Sequence, residues 1–140
     1  MFNTIRNAIE SVLNELVGVG QPLVVVYPYH ESALSGFPAI TFDISDVSSD
    51  FLTNAENVRK YSWKIYIYKQ INEVVPLSEA VTILDAAADA VIDKIEQNLT
   101  LNDTVDYCRP VVGPRSFASS TTGEALVQEL TLITTITRVV

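Results

Sequence analysis

The chain predicts an α+β fold: a mainly antiparallel sheet of about five strands with two helices packed on one face, in the order helix, three strands, helix, two strands. Three observations carry this. Apolar residues recur at helical spacing in two separate stretches, Ile5 to Val17 and Val81 to Leu99. Elsewhere they alternate with polar residues at strand spacing, as in Ile40-Phe42-Ile44, Tyr61 to Lys69 and Leu126 to Ile136. Successive strands also follow one another without an intervening helix, which favours antiparallel pairing.

The elements follow in order. Ile5, Ala8, Ile9, Val12, Leu13, Leu16 and Val17 form one apolar stripe on a helix beginning near Asn3 or Thr4 and ended by Gly18 and Gly20. Leu23 to Tyr27 is a short β-branched run closed by Pro28, which reads as a first strand. Tyr29 to Ser35 reads as a loop. Pro38 starts a second strand from Ala39 to Ile44 or Ser45, with Ile40, Phe42 and Ile44 on its core face. The polar segment Ser45 to Lys60, interrupted only by Phe51-Leu52, reads as a long loop, and a loop of that length is commonly functional or mobile.

Tyr61 to Lys69 is the third strand. Tyr61, Trp63, Ile65 and Ile67 lie on one side and Tyr66 and Tyr68 on the other, so both faces need cover. Ser78 is placed to cap the second helix, with Glu79 in the first turn where the helix dipole favours an acid. That helix carries Val81, Leu84, Ala88, Val91, Ile92, Ile95 and Leu99 on one stripe, and Asn102-Asp103 breaks it. Val105 to Val112 reads as a strand whose Pro110 and following Gly113-Pro114 predict an edge or a bulge. After a loop from Ser116 to Gly123, a long half-buried strand sets Leu126, Leu130, Leu132 and Ile136 against Glu129, Thr131, Thr135 and Thr137.

At 140 residues and 48% hydrophobic, the chain forms a single domain, residues 1–140, with no internal repeat. Nine basic residues against seventeen acidic give a formal charge of −8, which opposes the phosphate contacts of a DNA reader. A surface past which DNA slides without sticking remains compatible. The single cysteine, Cys108, excludes an internal disulfide and reads as a small buried residue in a reducing compartment. Asn98-Leu99-Thr100 and Asn102-Asp103-Thr104 match the glycosylation pattern, but Arg6, Glu10 and Glu15 interrupt any secretory signal. No apolar run approaches the ~20 residues of a membrane span, so a soluble protein is expected.

No catalytic constellation, cofactor motif or metal motif emerges. His30 is the only histidine, and without a Gly-x-Ser-x-Gly turn a triad with Ser32 or Ser35 gives way to a solvated loop residue. Asp85, Asp89 and Asp93 recur at i, i+4, i+8 and share a helix row. Like charges there cost roughly 0.2–0.5 kcal/mol per pair, leaving three readings: a solvated face, a divalent-metal site or a negative wall. Asp43, Asp46 and Asp50 read as solvated acids. Phe51 and Leu52 tuck under their own core or dock into a neighbouring chain. The aromatic set Tyr61, Trp63, Tyr66 and Tyr68 has only Lys60, Lys64 and Lys69 nearby, so core or subunit contact outweighs base stacking. Gly18-Val19-Gly20 follows a helix and fails the context for nucleotide binding.

The Gly36-Phe37-Pro38-Ala39-Ile40-Thr41-Phe42 strand and the aromatic strand from Arg59 to Tyr68, opened by Val58-Arg59-Lys60-Tyr61, sit in a chain-long order of elements. That order resembles the tail terminator (tail completion) proteins of long-tailed bacteriophages. The resemblance implies a non-enzymatic virion subunit, assembled in the host cytoplasm, that forms a ring, usually hexameric, at the head-proximal end of the tail. Such a ring ends tube polymerisation and offers the head or its connector an attachment surface. Its partners are further copies of itself, the tail tube protein and the head-tail connector or neck proteins, and DNA passes through it without specific binding. Phe51, Leu52, Tyr66 and Tyr68 are then candidate interface residues, and Asp85, Asp89 and Asp93 candidates for the lumen or an acidic surface. A head-side neck or adaptor protein and a ligand-binding α+β domain are the alternatives.

Overall fold

A computed structural model of the chain describes residues 1–51, 56–120 and 123–139. Its elements are α1 (Phe2–Asn14), β1 (Val25–Tyr27), β2 (Ala39–Phe51), β3 (Glu56–Ile71), α2 (Leu77–Glu96), β4 (Tyr107–Ser120) and β5 (Gly123–Val139). One five-stranded sheet has the order β1-β2-β3-β5-β4. The chain passes from β3 through α2 to the far edge, lays down β4, and returns β5 into the gap between β3 and β4. This is the α+β fold that the order of elements predicts.

α1 buries Ile5, Ala8, Ile9, Val12 and Leu13, five residues of the predicted stripe. Leu16 and Val17 fall beyond its last turn and still pack on the core. α2 buries Ala80, Leu84, Ala87, Ala88, Val91 and Ile95. Its cap differs from the sequence expectation: Pro76, in extended backbone, takes the N-cap position without a side-chain bond, and its carbonyl accepts from Ala80 N at 3.0 Å. Ser78 lies one residue inside the helix, where its carbonyl accepts from the Thr82 hydroxyl. The helix ends at Glu96, short of Leu99, which is exposed. A turn follows in which Leu101, Asn102 and Asp103 all have positive φ. Leu101 is nonetheless fully buried, and Asn98 accepts from the Asn102 backbone N–H at 2.9 Å.

β3 organises the core. Tyr61, Trp63, Ile65 and Ile67 point to the helices and are completely buried, each contributing roughly 1.5–3 kcal/mol by removal from water. Facing them in register are Phe42 and Ile40 on β2, opposite Ile65 and Ile67, and Leu132 and Leu130 on β5, opposite Trp63 and Ile65. The Trp63 indole N–H reaches the Thr134 hydroxyl at 3.4 Å, and that hydroxyl donates to the Tyr61 carbonyl at 3.1 Å. This satisfies the polar edge of the largest core side chain.

Three corrections concern the strands. Ser45 to Lys60 is no loop: β2 runs to Phe51 and β3 begins at Glu56, so most of the segment is an antiparallel ribbon with a register shift between Ile44 and Asp46. Ser116 to Ser120 and Gly123 likewise belong to the β4–β5 ladder, the residues between them lying outside the described ones. Backbone ladder bonds hold both extensions, helped in the first by Ser45 donating to the Ser62 carbonyl and Ser49 donating to Asn57. β1 pairs parallel with β2 although no helix joins them, and the connecting residues cross the sheet face opposite the helices. The reading of β4 from its prolines holds: it is the edge strand, with a register shift between Val112 and Arg115.

Candidate assembly surface

α1 and α2 occupy one face, and among the described residues the other face of the sheet is covered by the chain crossing between β1 and β2. Tyr66 and Tyr68 stand there half-buried, 6.4 Å apart between ring centres. The His30 ring lies 5.2 Å from Tyr66, and its Nδ1 is 3.3 Å from the Thr41 hydroxyl. His30 is thus an exposed loop residue, as predicted, that also shelters part of Tyr66. Burial, and then the carboxylate of Glu129, push the Tyr66 phenol above its usual pKa. Lys64 reaches Thr131 at 3.1 Å and Glu129 at 3.6 Å on the same face.

Two concavities mark this face. A cavity of about 200 Å³ lies between the crossing loop (Leu34, Phe37) and the sheet (Tyr68, Ala118, Ala125). Nearer the β2–β3 ribbon, a shallow groove of about 640 Å³ runs over Val58, Lys60, Tyr107 and Thr135. The first is smaller than the ~300 Å³ at which small-molecule sites begin, and the second is an open surface of mixed polar and apolar lining.

Exposed apolar side chains concentrate on the edge strand. Tyr107, Val111, Val112 and Phe117 of β4 are 53, 38, 64 and 66% exposed. Sequence reasoning passed over these as an interface because apolar residues on β4 occupy both strand parities and show no one-sided pattern. The usable signal was the pair of prolines, which places the strand at an edge.

Of the candidate residues, Tyr66 and Tyr68 share one surface. Asp85, Asp89 and Asp93 lie exposed on α2, on the other side of the sheet, where Asp85 pairs with Arg115 of β4 at 2.6 Å. Among the described residues no group of three or more His, Cys, Asp or Glu is placed to hold a metal ion. Phe51 enters β2 by its backbone, and its side chain and Leu52 lie outside the described residues. Asp46 is exposed as read, but Asp43 is not simply solvated: it binds Arg6 of α1 at 2.8 Å. Cys108 is buried, and burial pushes its thiol up to about 11. No helix among the described residues is long and apolar enough to cross a membrane.

The arrangement defines a two-layer α+β fold with an incompletely covered sheet face and exposed apolar side chains on one edge strand. No protein-family model matches the chain, and no curated protein does. Among solved structures, it shares its fold with a chain of the structure described as "Virion of native gene transfer agent (GTA) particle", at a TM-score of 0.54 and 14% identity. The likeness covers 96% of this chain and 95% of that one. At that identity it establishes the fold.

Proposed function

We propose that this protein is a structural, non-enzymatic virion component of a phage-like particle whose copies form a ring, hexameric by resemblance, that caps the tail tube. In that role it ends tube polymerisation at the head-proximal end and presents the surface to which the head or its connector attaches. The observation that carries the reading is the likeness to a virion chain over 96% of this chain and 95% of that one. The half-buried Tyr66 and Tyr68 support it physically, since a partner seated on that face would bury what the described residues leave exposed. The formal charge of −8 suits a channel through which DNA passes unbound.

Electron microscopy of the purified protein, alone and mixed with tail tubes, tests this. Rings that sit on one end of the tubes and stop their growth are the expected result. Binding to the portal in preference to tube ends would instead identify a neck or adaptor subunit. A strict monomer at every concentration, tubes included, would overturn the ring.

A further inference from the structure

The sheet has a free edge on each side, and Tyr107 to Pro110 of β4 lie level with Ile44 to Ser48 of β2. β1 covers only Ala39 to Thr41 of β2, so from Ile44 to Phe51 no strand lies beside β2 on that side. On the opposite side β4 ends the sheet and carries the four exposed apolar residues named above. A long apolar edge of this kind is a template for another strand. Following the antiparallel steps from β2 through β3 and β5, β4 runs opposite to β2. A second copy set alongside in the same orientation therefore brings its β2 antiparallel to β4, the more stable of the two pairings.

Charge and level agree with direction. Arg109 on β4 stands opposite Ile133, Ile133 opposite Ser62, and Ser62 opposite Asp46 on β2, so Arg109 and Asp46 end the same row on the same face. Both are exposed, and neither has an ion pair among the described residues. We infer that the outer edge of β4 pairs antiparallel with the free edge of β2 in a second copy of this chain, with Arg109 facing Asp46 across the junction. The two edges differ, so the contact is head-to-tail and continues around a ring rather than stopping at a dimer. Pro110 and Pro114 remove two N–H donors from β4, which restricts the registers that the edge accepts. At about 4.8 Å per strand, the four strands β2, β3, β5 and β4 of six such copies give a sheet wall roughly 115 Å around and about 37 Å across at its midline.

This contact deepens the ring reading and rests on it, and cysteine cross-linking tests it. In a full-length Cys108→Ala background, Asp46→Cys and Arg109→Cys are made singly and together. Under mild oxidation the double variant is expected to give a covalent ladder, a mixture of the single variants dimers, and each single variant alone neither. Disulfide dimers from Arg109→Cys alone would overturn the head-to-tail contact in favour of β4 pairing with itself. Rings seen by microscopy without any cross-link would overturn the edge pairing while leaving the ring reading standing. As a second arm, Arg109→Asp should raise the concentration needed for assembly at least about tenfold, and Asp46→Arg added to it should restore assembly. Failure of that rescue in a protein whose circular dichroism is unchanged counts against the contact. Cross-linked rings that ignore tube ends would remove the tail-capping role and keep the edge pairing.

Discussion

Arg6 and Asp43 tie the first helix to the second strand, their guanidinium and carboxylate 2.8 Å apart, while the same guanidinium lies 5.3 Å from the centre of the Trp63 ring. Arg6 also donates to the Pro28 carbonyl, so one side chain holds α1, β2 and the start of the crossing loop together. Burial raises the Asp43 pKa, but the Arg6 hydrogen bond, the Ile44 backbone N–H and the nearby positive charge outweigh it and hold the carboxyl below its ordinary 3.8.

A depressed folded-state pKa places the stabilisation above the unfolded value, and it is lost as pH falls through the folded one. Asp43→Asn should therefore cost about 1 kcal/mol at pH 7, the pair being partly exposed. The difference from the parent protein should shrink as pH drops below about 4. Urea titrations at pH 7 and pH 3 measure both.

Cys108 works in the opposite sense. Its thiol is pushed up by burial to about 11, against an ordinary 9.0, so the folded chain keeps its proton while the unfolded chain loses it. Stability should be complete below pH 9 and fall between 9 and about 11, and Cys108→Ala should remove that alkaline loss. Alkylation by iodoacetamide at pH 8, followed by mass, should be negligible in the native protein and rapid in denaturant.

Tyr66→Ala combined with Tyr68→Ala should cost the isolated chain about 1–3 kcal/mol, less than an equivalent truncation under the helices, because both rings are only half-buried. Self-association should weaken at least about tenfold. Sedimentation over a concentration series separates the two effects, and an unchanged assembly midpoint would remove these residues from the interface.

Asp89→Asn tests the carboxylate row. Asp85, Asp89 and Asp93 repel one another along α2, and of the three Asp85 is the one paired with Arg115. Neutralising the central member removes two such pairs and should stabilise the helix by about 0.4–1 kcal/mol, read from thermal unfolding. Assembly unchanged by the substitution would mark the row as a solvated surface rather than a wall that subunits share.

Both helices, the buried side of β3 and the edge position of β4 were legible because burial writes itself into period and prolines into edges. Trp63 and Ile65 announce the core by alternation alone. The outer parts of the two ribbons were not legible, since Ser48 and Ser49 show no apolar side by which alternation would mark a strand. The parallel partner of β2 was hidden because three residues of β1 carry no sign of direction. Arg6 gave no signal at all: its partners Asp43 and Trp63 lie far along the chain, and only folding brings them to it. For the candidate surface, Tyr66 and Tyr68 could be read from parity, whereas Arg109 and Asp46 acquire meaning only from the register that aligns them.

The β2–β3 and β4–β5 ladders end at opposite ends of the sheet, the first at the level of Glu56 and Val139 and the second at the level of Ile71 and Glu124. Copies arrayed side by side would therefore make a collar with two unlike rims, one fringed by the first ribbon and one by the second. Such a collar has a top and a bottom written into its connectivity. Whatever its lower fringe grips, its upper fringe offers a different shape, so a second collar could not stack on the first through the same contacts and growth in that direction would halt.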